Sequence, residues 1–215
     1  MRLRLVLIFL ALTSFVAAEP APSSSAASSD DPAHDPAWRE LFARLAPQKT
    51  RQSHFEERRY FPFRSQPVVL IGEIRIAPER GLSISYDGEK PHTVIIDRTG
   101  VLLRDERGRQ RAAPADSRAQ AATEALFHIL RFDLPALEKD FVLQGNRDGV
   151  AWTLDFVPRD PALTAVLGTV TVHGDHTHLT EIAMIKSAKQ RIEISLRDTR
   201  EDVVFSPEEL HRYFR

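Results

Sequence analysis

The chain has 215 residues, with 29 Lys and Arg against 30 Asp and Glu, a formal net charge of −1 and no cysteine. So even a balance gives no electrostatic case for nucleic acid, and without cysteine there is neither a disulfide framework nor a thiolate metal site. No stretch approaches the roughly 20 apolar residues that a membrane-spanning helix needs, so stability has to come from an ordinary packed core.

The first eighteen residues, MRLRLVLIFLALTSFVAA, place Arg2 and Arg4 ahead of an apolar run from Leu5 to Leu12 and end on Ala17 and Ala18. That is the pattern of a secretory signal peptide, residues 1–18, and it predicts a periplasmic protein starting near Glu19. Residues 19–35 are rich in Ser, Ala, Pro and Asp and read as a flexible leader. The remainder, 36–215, has the size of one domain. Its first segment, DPAWRELFARLA, offers Asp35 as a cap, Pro36 at the first helical position, and Trp38, Leu41, Phe42 and Leu45 on one helical face.

The period then changes to two. Phe55, Phe61, Phe63, Val68, Leu70, Ile74 and Ile76 alternate with polar residues, as do Leu82, Ile84 and Tyr86 with serines. Such alternation predicts half-buried antiparallel strands. Turn signals separate them at Ser65-Gln66-Pro67, Glu79-Arg80-Gly81, Asp87-Gly88 and Arg98-Thr99-Gly100. The charged run Glu56-Glu57-Arg58-Arg59 reads as a solvated strand face or a docking patch.

A helix interrupts the strands where SRAQAATEALFHILR carries Ser117 and Gln120 in capping-box spacing, with Ala119, Ala122, Leu126, Phe127 and Leu130 on its apolar face. A second short helix follows Asp133, with Pro135 in its first turn. Strands resume with Val150, Trp152, Leu154 and Phe156, then Val170 and Val172, a mixed run from Ile182 to Ile185, and Ile192, Ile194 and Leu196. A sheet of that many strands, with one apolar face and only three or four helices, has to curl around something or leave apolar surface exposed.

Three segments in this order resemble the LolA-like family of outer-membrane lipoprotein carriers, in its broader periplasmic subgroup. They are FEERRYFPFRSQPVVLIGEIRIAPERGLSISY, HTVIIDRTGVLLRDERG, with a hydrophobic-Asp-x-x-Gly element, and DPALTAVLGTVTVHGDHTHLTEIAMIKSAKQRIEISL, read as a long C-terminal hairpin. The resemblance implies a mainly β, α+β fold: an incomplete antiparallel β-barrel, in effect a strongly curved sheet, closed by a helical lid over an apolar cavity for acyl chains. It also implies an arginine before the proline that ends the second strand, latching the lid. Here Ala77 precedes Pro78, with Arg75 and Arg80 on either side, which shifts the resemblance from the lipoprotein carriers proper to the broader subgroup.

A cavity for acyl chains needs a concave apolar face, because each methylene removed from water is worth about 0.8 kcal/mol. Leu70, Ile74, Ile84, Tyr86, Trp152, Leu154, Phe156, Ile192 and Ile194 suit that face, with Leu126, Phe127 and Leu130 on the lid. The plainer alternative is that they pack on the helices as a dry core. The histidine-rich VTVHGDHTHLTEI, with His173, His176 and His178 around Asp175, falls where the family has a turn and reads as a polar hairpin tip with no metal bound. Neither a Gly-x-Ser-x-Gly elbow, a His-Glu-x-x-His helix nor a phosphate-binding glycine loop occurs in the chain.

The expectation is therefore a monomeric, non-enzymatic periplasmic carrier without cofactor. It would take a lipidated protein, lipid or glycolipid from an inner-membrane donor complex to an outer-membrane acceptor, with transient membrane contact. The alternative is a sensor or adaptor module of the same fold that recognises lipoproteins and does not transport them.

Overall fold

In the computed structural model, residues 32–46, 49–113 and 117–215 are described, those at 117–119 by their backbone alone. The signal peptide, most of the leader, and the Ser117 and Ala119 side chains lie outside the described residues. Eleven strands form one antiparallel sheet in the order β6-β5-β4-β3-β2-β1-β11-β10-β9-β8-β7. Among the described residues five helices, α1 to α5, accompany it. The expected fold class is the one observed: a mainly β, curved and unclosed sheet with helices over its apolar face.

Helix α1 (Pro36–Leu45) begins as its sequence dictates, Asp35 accepting bonds from the amides of Ala37 and Trp38. Strand β1 (Arg51–Tyr60) follows, and its inner residues alternate as Ser53, Phe55, Glu57 and Arg59. Hairpins then run outward through β2 (Val68–Ala77), β3 (Gly81–Tyr86), β4 (His92–Asp97), β5 (Gly100–Asp105) and β6 (Gln110–Ala112). After α2 (Ser117–Arg131) and α3 (Leu134–Asp140), strands β7 (Phe141–Asp148) and β8 (Ala151–Pro158) form a hairpin; α4 (Pro161–Leu167) leads into β9 (Thr169–Asp175), β10 (His178–Ser187) and β11 (Gln190–Glu201). The last strand returns to pair with the first, Arg51 opposite Glu201 and Tyr60 opposite Arg191.

Where β1 meets β11 the register shifts, with Asp198 at φ 54° in the left-handed region. Further irregularities fall in β10 between Leu179 and Glu181 and between Ile185 and Ser187. Bulges of this kind bend a strand and increase its twist, so the curvature is concentrated around the central strands.

The inner face carries two clusters. One joins Trp38, Leu41, Phe42 and Leu45 of α1 and Ala122, Ala125 and Ile129 of α2 to Trp152, Leu154, Phe156, Val170 and Val172. The other gathers Phe55, Ile74, Leu82, Tyr86 and Ile96. Two glycines on this face make room for tryptophans: a Cβ at Gly145 would lie 2.5 Å from the Trp38 ring, and one at Gly174 would lie 2.0 Å from the Trp152 ring. Trp152 is further held by its indole N–H, which donates to the His176 carbonyl at 2.9 Å.

Helix α5 (Pro207–Tyr213) covers the outer face of β2 to β5. It opens with a capping box between Ser206 and Glu209. At its far end the Arg104 guanidinium of β5 donates to the carbonyls of His211, Arg212 and Phe214, the first at 2.7 Å and the last at 3.2 Å. Burial, with Arg215 nearby, pulls the Arg104 pKa below the usual arginine range. Arg75, on the same face, lies 3.6 Å above the Tyr213 ring.

Several expectations need correction. Phe61 and Phe63 are not strand residues; they sit in the β1–β2 turn, stacked with centroids 5.4 Å apart. Val150 lies in the β7–β8 turn and is exposed. Strand β7 and helices α4 and α5 add to the expected elements, and DPALTAVL, expected in the C-terminal hairpin, contains α4. The tip of VTVHGDHTHLTEI turns at His176-Thr177, Asp175 pairing with His178, and His173 faces Glu181 across the ladder.

Two outcomes follow. Gly174→Ala overpacks the Trp152 contact and costs about 1–3 kcal/mol, read as a lower urea midpoint at unchanged m-value. Arg104→Met leaves three helix-end carbonyls without their donor, and amides of residues 207–214 exchange about tenfold faster in hydrogen-exchange mass spectrometry while β7 to β9 exchange as before.

Candidate functional site

The inner face is covered unevenly. On the β7–β10 side, Trp152, Leu154 and Phe156 are 4%, 0% and 0% exposed, closed over by α1 and α2. Phe132 spans the gap edge-on, its ring 5.9 Å from Phe42 and 6.4 Å from Trp152. These three site residues lie in a dry, filled interior. On the other side Ile74 and Tyr86 are buried, while Leu70 and Ile84 are only half-buried; Ile192 and Ile194 are half-buried too, Ile192 against the closed cluster and Ile194 against both. Leu126, Phe127 and Leu130 of α2 are half-buried as well. The structure thus brings the twelve predicted residues to one face and divides them into a closed half and a partly open half.

Leu130 is the divider. It packs against both clusters, and a narrow cleft opens on each side of it. One, of about 30 Å³, is lined by Ile74, Ile76, Leu179, Ile182 and Leu196 on its apolar side and by polar residues, Arg51, Ser53, Thr199 and Glu201 among them, on the other. The other, of about 10 Å³, lies between Phe127, Leu130 and the Pro78 turn. A single water occupies a volume of roughly this order, so in this state α2 lies close against the sheet.

In the open half the lining is not wholly apolar. Glu57, at the centre of β1, is 1% exposed. Its carboxylate accepts the Tyr86 hydroxyl at 2.7 Å and the Arg59 guanidinium in a close ion pair. Arg59 also donates to the Tyr86 hydroxyl at 3.4 Å and lies 5.7 Å from that ring's centroid. Tyr86 is wedged between Phe55, edge-on at 5.3 Å, and the stacked His92 ring at 4.9 Å. Burial, then the Glu57 carboxylate, pushes the Tyr86 phenol far above its ordinary range, so it stays a hydrogen-bond donor.

This cluster corrects the reading of Glu56-Glu57-Arg58-Arg59 as a uniform solvated face. Alternation sends Glu56 and Arg58 outward, where they pair with one another and Glu56 also meets Arg197, and Glu57 and Arg59 inward. The signal was available: charged residues at the period-2 positions that Phe55 occupies face the core.

The other candidates separate cleanly. His173 bonds Thr153 through Nδ1 at 2.9 Å, and His176 approaches Asp175 at 3.6 Å. Among the described residues no group of three or more His, Asp or Glu is placed to hold a metal ion. Neither arginine beside Ala77-Pro78 reaches the lid: Arg75 turns to Tyr213, and Arg80 donates to the Arg215 carbonyl at 3.1 Å. Among the described residues no helix is long and apolar enough to cross a membrane.

No protein-family model matches the chain, and no curated protein sequence matches it. Among solved structures, one of MucB in complex with MucA(peri) is similar at 13% identity and a TM-score of 0.45, over 81% of this chain and 58% of that one, so the match spans little more than half of that chain. A putative outer membrane lipoprotein-sorting protein domain from Vibrio parahaemolyticus is similar at 10% identity and a TM-score of 0.42, over 81% and 94%. A LolA superfamily protein from Nitrosomonas europaea is similar at 7% identity and a TM-score of 0.38, over 80% and 96%. At these identities the likeness is one of fold, and the use of the inner face rests on this chain's own residues.

Proposed function

We propose that the domain is a periplasmic carrier that shelters acyl chains of a lipoprotein or another lipid on the partly open half of its inner face. The observation that supports this reading is the asymmetry of cover. Leu70 and Ile84, with Ile194 at the boundary, face the interior yet remain half-buried, and Phe127 and Leu130 rest over the same side, whereas Leu126 and Ile192 pack on the closed half. Apolar side chains kept at half cover hold free energy that a ligand's methylenes release, about 0.8 kcal/mol for each one buried. Their uniformity suits a chain with no hydrogen-bonding groups. Since the clefts beside Leu130 hold no more than about 30 Å³, entry of cargo requires α2 to move away from the sheet.

The Glu57–Arg59–Tyr86 cluster serves this arrangement by stiffening β1 without filling the space with another apolar side chain. A buried ion pair is a poor source of net stability but a costly thing to break.

A fluorescent fatty-acid probe tests the reading. The wild type binds it; Leu70→Trp, in the open half, lowers probe affinity at least about tenfold with a stability change under about 1 kcal/mol, as at sites with room. Leu154→Trp, in the closed half, destabilises by about 1–3 kcal/mol, as overpacking does. A wild type that binds no probe rejects the carrier. For the polar cluster, Glu57→Ala leaves the guanidinium and phenol unpaired and costs about 3–5 kcal/mol, whereas Glu57→Leu combined with Arg59→Leu costs less than half of that in the same denaturation assay.

A further inference from the structure

The end of the sheet beyond Tyr60 carries a group of residues that neither the core nor the cleft uses. The β1–β2 turn reads Phe61-Pro62-Phe63-Arg64 and closes with a bond from the Arg64 amide to the Phe61 carbonyl at 3.1 Å. Phe63 is 76% exposed and stacks on Phe61, while Val69 and Ile71, just beyond the turn on the outer face of β2, are 52% and 53% exposed. Because β1 pairs with β11, Tyr60 opposite Arg191, the β10–β11 turn lies alongside and adds Lys186 and Lys189, with Ile185 38% exposed.

Charge at this rim is sorted. Arg58, Arg59 and Arg191 are held by Glu56, Glu57 and Glu193. Arg64, Lys186 and Lys189 are exposed, and none is in an ion pair among the described residues. The β3–β4 turn at the same end contributes Asp87, Glu89 and Lys90. The exposed, unpaired charges at this end are thus four cations, Arg64, Lys90, Lys186 and Lys189, against two carboxylates, Asp87 and Glu89, an excess of positive charge among the described residues.

We propose that this rim, with Phe61 and Phe63 as its apolar tip and Arg64, Lys186 and Lys189 around it, docks the protein on a bilayer surface bearing anionic phospholipids. An exposed phenylalanine stacked on a half-buried one, beside unpaired cations, matches the boundary between acyl chains and a negatively charged headgroup layer. The attachment is reversible, since it relies on two rings and three charges. It rests on the carrier reading only for its purpose: Leu70 and Ile192, at this end of the inner face, would then meet the surface from which acyl chains come.

The exported protein is mixed with vesicles of phosphatidylethanolamine and phosphatidylglycerol, and separately with vesicles of phosphatidylcholine alone. In a Phe63→Trp variant the native Trp38 and Trp152, 0% and 4% exposed, contribute a constant background. The new indole shifts its emission to the blue with the anionic vesicles, is quenched by lipids brominated near the headgroup end of their chains, and loses the response at high salt. Adding Lys186→Glu and Lys189→Glu weakens binding at least about tenfold. No shift with anionic vesicles, or an equal shift with neutral ones, overturns the proposal. The fatty-acid probe separates the two readings: probe binding without vesicle response sinks the rim alone, and vesicle response without probe binding sinks the carrier alone.

Discussion

The architecture follows from a mismatch between sheet and helices. One sheet of eleven strands presents a single apolar inner face, and four of the five helices have to cover it. They do so unequally. Trp38 seated on Gly145, Phe132 between Phe42 and Trp152, and α2 leaning towards α4 seal the β7–β10 side. Among the described residues, α2 reaches the β1–β5 side through Phe127 and Leu130. Everything proposed about cargo is a consequence of that shortage of cover. Had another helix filled it, the same strand residues would form an ordinary core.

On the outer face the logic is reversed. Beneath α5 the strands place Arg75, Ser83 and Arg104, all under 9% exposed, among apolar Ile95, Leu102 and Phe214. The helix is short, and Arg104 supplies the donors that its last turn lacks. Strands β2 to β5 are thereby supported from behind, which lets their front remain uncovered without the sheet losing its shape. The inward ion pair of Glu57 and Arg59 contributes to the same end on β1.

Much of this was legible in the alternation of residues. Phe55, Leu70, Ile74, Ile84, Trp152, Leu154 and Ile194 stand at period-2 positions and face inward, and Asp35-Pro36 sets the start of α1. The misreadings have identifiable causes. Strand β7 has inward residues Phe141, Leu143 and Gly145; the glycine, needed beneath Trp38, interrupts the apolar pattern that would have marked the strand. The seven residues of α4 are too few to show a helical period, though Asp160-Pro161 carries its cap. Which half of the inner face is closed could not be read locally, because cover comes from helices distant in sequence. The Phe61-Pro62-Phe63 stretch looks apolar enough to be strand, and only the prolines at 62 and 67 argue for the turn that exposes it.

Strand β1 has neighbours from opposite ends of the chain: β2 on one side and β11 on the other. A ribosome delivers β1 early and β11 last, so throughout synthesis one flank of the strand that becomes the middle of the sheet has no partner. Completing the sheet therefore waits for the last strand, and the closure that pairs it with β1 spans 131 residues at Tyr60–Arg191 and 150 at Arg51–Glu201, a sequence separation of the kind that slows folding. During the wait β1 is an open edge, and its sequence suits that interval. The charges of Glu56, Glu57, Arg58 and Arg59 discourage pairing with the wrong strand or another molecule, and two of them become the buried ion pair once the last strand arrives.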